Sequence, residues 1–506
     1  MEYKRFMTEV LEKGYAEKVP MEQLHRKDGQ VWHIPHHGVY HQQKGKLRVV
    51  FDCAASFKDT SLNQELLQGP NLTNTLIGVL LRFRQEQIAF MADIESMFYR
   101  VQVQEHHRDF LRFLWWPGGD TSKPLETYRM NVHLFGAVSS PSIANFALRQ
   151  TAEDNCQRYD REVTQTIRNN FYVDDCLTST ATVEEAIKLI SDLREACAQG
   201  GFSFTKWVSN SREVLASIPE HHRAKQFKEL VLDKEKLPIE RALGIEWNTE
   251  SDSFAIKVAI KDRALTRRGI LSMVSSIYDP LGFLSPFTLK AKQILQGLCK
   301  LKSGWDQIIP EDFSNQWQRW ITGLEQLSRF TVDRCMKPED FGPIKTGELH
   351  HFSDASEIGY GTVSYLRLTN TAGRVCVAFV LGKSRVTPLK QITIPRLELT
   401  AAALAVKVDR MLKRELQLEL KYSVFWTDST SVLGYIHNKT RRYHTFVANR
   451  VSLICELSQD KQWRYVNTKD NPADDASRGL NIEPFLKSVR WLKGPQFLEK
   501  EETDWP

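Results

Sequence analysis

The chain has no apolar run approaching the ~18 residues of a membrane span. It has no CxxC pair among its eight cysteines, and no apolar core of the signal type behind Met1-Glu2-Tyr3-Lys4-Arg5. The first absence excludes an ordinary transmembrane helix. The second leaves the cysteines without a zinc or disulfide framework, so they read as reduced thiols and the chain as cytoplasmic, with nuclear access left open. Charge of one sign is also scarce: 68 Lys and Arg against 62 Asp and Glu give +6, too mild a bias to name a polyanion partner. Trp32-His33-Ile34-Pro35-His36-His37-Gly38 has histidines but no helix or cysteine to fix their spacing, and is not read as a zinc site.

At 506 residues the chain is too long for one core, and ~150 residues per domain suggests about three. Its 42% hydrophobic and 26% charged residues are those of an ordinary globular protein. An N-terminal charged helix, Lys4 to Lys13, reads as a solvated face. The informative stretch is Phe171-Tyr172-Val173-Asp174-Asp175. Two adjacent acids between apolar runs predict a hairpin with both carboxylates at its tip, where hard oxygen ligands suit Mg2+ or Mn2+; a solvated turn is the plain alternative. Ala89-Phe90-Met91-Ala92-Asp93 reads as a strand delivering a third acid, with Phe98 five positions on. Lys44-Gly45-Lys46-Leu47-Arg48-Val49-Val50-Phe51-Asp52 reads as a hairpin turn and strand with Lys46 and Arg48 on one face; the fork of Arg48 suits a triphosphate, although exposed strand arginines are common. Carboxylates from separate strands that bridge two ions can serve in-line phosphoryl transfer. Thr182-Val183-Glu184-Glu185 is a capping box opening a helix with Ile187, Ile190, Leu193 and Cys197 on its buried side.

A second acidic pattern follows. His350-His351-Phe352-Ser353-Asp354, Tyr360 to Leu368 and Val375 to Ser384 read as three antiparallel strands. A helix with Leu397, Ala401, Leu404, Val408 and Met411 as its stripe carries Glu398 one residue off it. Val424-Phe425-Trp426-Thr427-Asp428 is a strand ending in an acid, and Asn471-Pro472-Ala473-Asp474-Asp475 opens a last helix with another. Acids from a strand centre, a helix, a strand end and a terminal helix are what a two-metal nuclease needs. A helix cap for Asp428 and a first-turn dipole acid for Glu398 are the plain alternatives. His437-Asn438-Lys439-Thr440-Arg441-Arg442 is a basic stretch suited to phosphates or to a solvated turn.

Asp93-Ile94 with Phe98, then Leu134-Phe135-Gly136-Ala137-Val138-Ser139-Ser140-Pro141, then the Asp174-Asp175 stretch, resemble in order and separation the palm motifs of a reverse transcriptase. The wording from Gly14-Tyr15-Ala16-Glu17-Lys18-Val19 to Asp279-Pro280-Leu281-Gly282 resembles the Pao/BEL class of long-terminal-repeat retrotransposons, and the C-terminal acids resemble ribonuclease H. The fold so implied is α+β: a right-hand polymerase with fingers, palm and thumb, then a connection and a ribonuclease H-like α/β domain. Its divisions would be 1–235 (extension, fingers, palm), 236–345 (primer-grip hairpin, thumb, connection), 346–480 (ribonuclease H) and 481–506 (tail). The activity implied is RNA- and DNA-templated DNA synthesis with degradation of the RNA strand of hybrids. Its partners would be an RNA template, a DNA primer, an RNA–DNA hybrid and deoxynucleoside triphosphates, with two Mg2+ or Mn2+ ions per site.

By the same resemblance Asp93, Asp174 and the carbonyl of Ile94 hold the polymerase metals, and Asp175 is the auxiliary catalytic acid. Arg48, Phe98, Gly136 and Lys206 meet the nucleotide, Phe98 as the ring excluding a 2′-hydroxyl and Lys206 as a proton donor to pyrophosphate. Leu243, Gly244 and Trp247 form the primer grip, and Arg267 and Arg268 open a thumb helix tracking the duplex. Asp354, Glu398, Asp428 and Asp474 form the nuclease site, with Asp474 chosen over Asp475 by motif alone. Trp305, Trp317 and Trp320 read as packing. Val466-Asn467-Thr468-Lys469 lacks the histidine that many members place before the last acid. No protease or integrase pattern is visible, Asp120-Thr121-Ser122 being a loop after Pro117-Gly118-Gly119, so the chain reads as the central segment of a longer product. Two other readings stand beside this one: a domesticated nucleic-acid-binding relative without catalysis, which seven intact acids argue against, and an unrelated metal nuclease, which leaves Phe98 and Arg48 unexplained.

Overall fold

The computed structural model describes residues 1–506 apart from 42–44, 229, 231, 233–234, 259, 261, 439 and 441. Lys44, Lys439 and Arg441 of the basic stretches named above therefore lie outside the described residues. The polymerase part is built on strands β1 (His36–His41) and β2 (Lys46–Phe51), which form the fingers hairpin, and on β3 (Ile88–Ile94), β4 (Phe171–Tyr172), β5 (Asp175–Thr180) and β6 (Phe204–Ser209), which form an antiparallel sheet in the order β4-β5-β3-β6. Helix α1 (Leu76–Phe83), capped by the Thr75 hydroxyl on the Gly78 amide, runs into β3. Helices α2 (Ser140–Asp154) and α3 (Val183–Gln199) close a core that holds Phe90, Leu148, Ile190, Leu193 and Phe204. The capping box of Thr182 and Glu185 is formed.

The N-terminal helix, Glu2–Glu12, is more than a solvated face: Met7 and Val10 are buried in the fingers core. His36 sits in that core's aromatic wall, bonded to the Tyr3 hydroxyl and the Leu114 carbonyl, so it is a packing residue. Gly136 adopts φ +111°, and a Cβ there would lie 2.4 Å from the Phe51 carbonyl oxygen, so only glycine lets this loop approach the fingers strand.

Beyond the palm, β7 (Ile239–Ala242) and β8 (Ile245–Asn248) form a hairpin whose two turn residues, Leu243 and Gly244, both take positive φ, as a type I′ turn requires. Helices α4 (Arg267–Ser276), α5 (Ser285–Lys300) and α6 (Glu311–Gln326) follow. Trp317 and Trp320 stack 4.9 Å apart and Trp320 donates to the Phe287 carbonyl, which bears out packing for this pair.

The C-terminal sheet has β9 (Ile344–Ala355), β10 (Gly359–Asn370), β11 (Val375–Val386), β12 (Leu420–Thr427) and β13 (Trp463–Tyr465) in the order β11-β10-β9-β12-β13. The first three run antiparallel, and β12 and β13 are parallel to β9. Helix α7 (Ile394–Glu415) crosses the sheet, and α8 (Ala473–Arg478) packs on β9 and β10. The expected stripe of α7 is too narrow: Glu398, Ala402, Ala405 and Asp409 are buried as well, because the helix is enclosed on more than one side.

The segment expected to be a tail, 481–506, is part of this domain. Trp491 is fully buried, its indole donates to the Phe283 carbonyl, and Tyr365 donates to its own carbonyl. Arg367 donates to the carbonyls of Leu498 and Lys500. The expected connection helix α5 likewise packs on β11 and α8. Trp491→Ala should therefore cost about 3–5 kcal/mol, the range for emptying a buried large-aromatic site, read as the shift of a chemical-denaturation midpoint. A shift within error would mean that the segment is dispensable.

Candidate active sites

In the palm, β3 ends with Asp93 paired across to Asp175 on β5 and to Thr205 on β6. The hairpin turn is Val173-Asp174, so only Asp174 sits at the tip; Asp175 is already a strand residue opposite Tyr172. Val173 adopts φ +58°, a left-handed conformation that costs a β-branched residue energy and is tolerated where the surroundings over-determine it. The Asp174 carbonyl accepts from the Ile94 amide at 2.9 Å, which ties the turn to the end of β3. Burial, then the neighbouring Asp174 and Asp93 charges, pushes the Asp175 carboxyl up to about 6. The Asp174 carboxyl is raised by burial and then by Asp93.

Lys206 is not a bystander. The register between β3 and β6 shifts between Met91 and Asp93, and Lys206 takes φ +56° in the resulting bulge. Its ammonium lies 2.8 Å from Asp93 Oδ2. Phe98, 6% exposed, stands on a short turn after Ser96 and meets the ring of Phe135 edge-on at 4.4 Å, with Phe135 itself 61% exposed. Gly136 is held by Asn63, whose amide donates to the Gly136 carbonyl and whose oxygen accepts from the Val138 amide. Asn63 carries no motif signal, and only the folded loop shows what it does. Arg48 is exposed on β2, opposite Val39 of β1.

One expectation for nucleic-acid contact needs correction. Trp247 is fully buried, edge-on to Phe83 at 4.9 Å with its indole donating to Asp252, so it anchors the hairpin and presents no surface. Leu243 and Gly244 form the tip above the Tyr278 ring. Arg267 stacks 4.0 Å from the Trp305 ring and donates to the Ser303 carbonyl, while Arg268 forks onto Asp306 at 2.7 and 3.0 Å. Both arginines are engaged in holding the 303–306 loop against α4.

The second site lies where the C-terminal sheet, α7 and α8 meet. Asp354 is the penultimate residue of β9, at the end of the strand and not at its centre. Asp428 follows β12, and the cap of the next helix falls to Ser429, whose hydroxyl accepts from the Val432 amide. Glu398 enters from α7. One carboxylate oxygen from each of Asp354, Glu398 and Asp428 lies within 4.8 Å of the others. Crowding is visible in their acidity: burial, then Asp354 and Asp428, lifts the Glu398 carboxyl to about 9, and burial leads in lifting Asp354 to about 7, with the Asp428 and Asp474 charges adding and a Ser477 hydrogen bond opposing. The Oε2 atom of Glu398 is buried without a hydrogen-bond partner.

Asp474 and Asp475 divide as helix geometry requires. Asp475 is buried and accepts from Arg490 at 2.6 Å and from Ser488 at 3.2 Å, away from the other acids. Asp474 contributes to the field at Asp354 but is paired with Arg478. In the stretch without the histidine, the Thr468 hydroxyl donates to Asp428 Oδ2 at 2.6 Å, and the Asn471 amide reaches both the Ser353 carbonyl and Asp428. Sequence reasoning missed Thr468, Asn471 and Ser477, whose roles come from contacts and not from any spacing rule.

A family model described as "Reverse transcriptase (RNA-dependent DNA polymerase)" matches residues 42–207, and one described as "Pao retrotransposon-like RNaseH-like domain" matches residues 266–429. The chain thus carries a reverse transcriptase domain and a Pao retrotransposon-type ribonuclease H-like domain. The Pao-type match starts at α4 and so takes in helices that the sequence placed in a thumb and connection. No curated protein matches the chain. Solved structures similar to it include a foamy viral protease-reverse transcriptase dRH in complex with double-stranded DNA, 14% identical at a TM-score of 0.58, covering 92% of this chain and 69% of that one. Two more foamy viral protease-reverse transcriptase structures, with RNA/DNA hybrid and with double-stranded DNA, are each 13% identical, at TM-scores of 0.55 and 0.54. Each covers 92% of this chain, against 53% and 82% of their own. At these identities the likeness concerns the fold. No helix among the described residues is long and apolar enough to cross a membrane.

The residues of the second site fit a divalent cation. They are hard oxygen donors, mutually repelling, and one buried oxygen is left unsatisfied. In the palm, Asp93 is instead paired with Lys206.

Asp475→Asn should leave hybrid cleavage per folded molecule nearly unchanged while destabilising the chain by roughly 1–3 kcal/mol, since it strips Arg490 of its partner at a site where Arg490 keeps some contact with water. Asp474→Asn should do the reverse. A thermal melt and a cleavage assay on the same preparations check both, and a swapped pattern would move the fourth acid by one residue.

Proposed function

We propose that the chain is an RNA-directed and DNA-directed DNA polymerase that also degrades the RNA strand of its hybrid product, with Asp93, Asp174 and Asp175 serving synthesis and Asp354, Glu398, Asp428 and Asp474 serving cleavage. The observation that carries this reading is the existence of two acidic clusters on two separate sheets, in polymerase-then-nuclease order. The partners follow: an RNA template, a DNA primer, deoxynucleoside triphosphates and an RNA–DNA hybrid. The foamy viral relatives of the same fold were solved with double-stranded DNA and RNA/DNA hybrid, which supports duplex substrates here. We place the reaction in the cytoplasm.

Two Mg2+ or Mn2+ ions per site would neutralise phosphate charge and lower the pKa of the attacking hydroxyl or water. In the palm Asp93 and Asp174, with the Ile94 carbonyl, would hold them, and Asp175 would act as an auxiliary acid. Lys206, whose ammonium pairs with Asp93, would give a proton to the departing pyrophosphate. Phe98, backed by Phe135, closes the space beside the sugar. Gly136 brings its loop to the fingers strand that carries Arg48 toward a triphosphate. In the nuclease, Thr468 and Asn471 fix the rotamer of Asp428, and Ser477 that of Asp354.

Asp174→Asn should abolish primer extension on an RNA template with Mg2+ and leave hybrid cleavage nearly intact, and Asp354→Asn should do the opposite. Equal loss of both activities in a folded variant would contradict two independent sites.

Phe98→Ala should admit ribonucleotides, because removing the ring opens room for a 2′-hydroxyl. The incorporation ratio of a ribonucleotide to its deoxynucleotide reads this, and an unchanged ratio in an active variant would exclude the gate.

A further inference from the structure

The nuclease cavity has a positively charged wall. Arg478, the last residue of α8, lines it together with Lys290, Asp354, Glu398, Asp428 and Thr468. Its guanidinium is paired with Asp474 one turn back, and its charge is felt at Asp354 and Glu398, where it opposes the rise in pKa. Asp474 is accordingly not among the acids whose oxygens converge within 4.8 Å. The main chain here is fixed: Gly479 follows at φ +73°, and a Cβ on it would lie 3.0 Å from the Pro286 carbonyl of α5. The Arg478 side chain is 60% exposed and that of Asp474 is 21% exposed, so the guanidinium is the member of the pair that can leave.

We propose that Arg478 is a positioning residue that withholds Asp474 from the other three acids until a nucleic-acid phosphate takes the guanidinium. The inference rests on the nuclease assignment above. The Arg478 guanidinium holds Asp474 through its Nε donor, and a phosphate accepts the same charge-assisted N–H bonds as a carboxylate, so an arriving backbone phosphate competes directly for it. The exchange frees Asp474 at the moment when substrate is present. Full divalent-ion binding is then linked to substrate binding, and the free enzyme is kept from assembling a complete hydrolytic centre. The linkage is reciprocal, because the same exchange that admits the ion strengthens the hold on the phosphate.

The test uses the full chain with Asp93→Asn, Asp174→Asn and Asp175→Asn, so that Mn2+ binding is read at the nuclease site alone, by the loss of the free-ion paramagnetic resonance signal. The expected result for this parent is one Mn2+ without nucleic acid and a second on adding a hybrid whose RNA strand is 2′-O-methylated and resists cleavage. Arg478→Ala should bind the second Mn2+ without hybrid, with affinity raised roughly three- to tenfold, the scale of removing one part-exposed cation from a carboxylate. Arg478→Lys should return the parent behaviour. Arg478→Gln repeats the measurement if the alanine variant melts early. An isotherm for Arg478→Ala or Arg478→Gln that matches the parent overturns the proposal. So does an equal gain in Lys290→Ala, which would reduce the effect to general charge in the cavity. Failure of the nuclease assignment itself gives a different signature: added Asp354→Asn would leave Mn2+ binding intact.

Discussion

Both candidate sites are organised by like charge held where it would rather not be. Carboxylates repel, and burial raises the cost of every ionised one, so a fold that gathers several at the end of a sheet must supply compensating positive charge. The two domains meet this demand in parallel ways. Lys206 stands on Asp93 in the palm and Arg478 on Asp474 in the nuclease, each basic group well exposed and each reaching one of the acids of its site. The residual strain differs. In the palm burial, with the neighbouring acids adding, raises Asp174 and Asp175; in the nuclease burial, with the neighbouring acids adding, raises Asp354 and Glu398, and there three oxygens converge and one on Glu398 has no hydrogen-bond partner. The nuclease site is thus the more poised of the two for a divalent ion.

The acids were legible in the sequence because their signals are local. An acid at the end of an apolar strand emerges at one end of the sheet, and both Asp93 and Asp428 do so. Helical angle separates adjacent acids, which is why Asp474 and Asp475 could be told apart in kind, although the fate of Asp475 could not: its partner Arg490 comes from a segment with no periodic signal. Trp247 was misread for a related reason. Its neighbours in sequence suggest a hairpin surface, and the side of the hairpin that faces α1 is set by Phe83, far away in the chain. Arg267 and Arg268 read as free cations because the Trp305 and Asp306 that occupy them lie more than thirty residues downstream. The division of the chain at 345 and 480 failed to capture the packing because α5 and the last residues bury their apolar sides on the same sheet.

That shared packing bears on how the two sites can cooperate. The Asp279 carboxylate is half-buried and accepts from the amides of Phe283 and Leu284 at the approach to α5, with desolvation lifting its pKa to about 6. In the same loop Gly282 takes φ +76°, and a Cβ on it would lie 1.9 Å from the Gly382 carbonyl of β11, whose own amide donates to the Leu281 carbonyl. On the palm side, Nη1 of Arg82 on α1 donates to both the carbonyl and the carboxylate of Glu415 at the end of α7, and its Nε donates to Asn170 beside the Asp174 hairpin. Arg84 spends its donors on the carbonyls of Arg334 and Phe379.

These contacts are of the kind that resist sliding. A buried arginine bonded to main-chain oxygens of two other elements has a geometry that lysine cannot reproduce, and removing one member of a buried pair such as Arg82 and Glu415 typically costs about 3–5 kcal/mol because it leaves the other unpaired. A flexible tether between polymerase and nuclease would need none of them. Their presence argues that the separation of the two acidic clusters is itself specified, so that a hybrid leaving the palm meets the nuclease at a set length. The contacts that carry it run from Arg82 to Glu415 at the end of α7 and from Arg84 to the Phe379 carbonyl of β11. Spacing between the two chemistries is then a property of these buried contacts, and not of a linker.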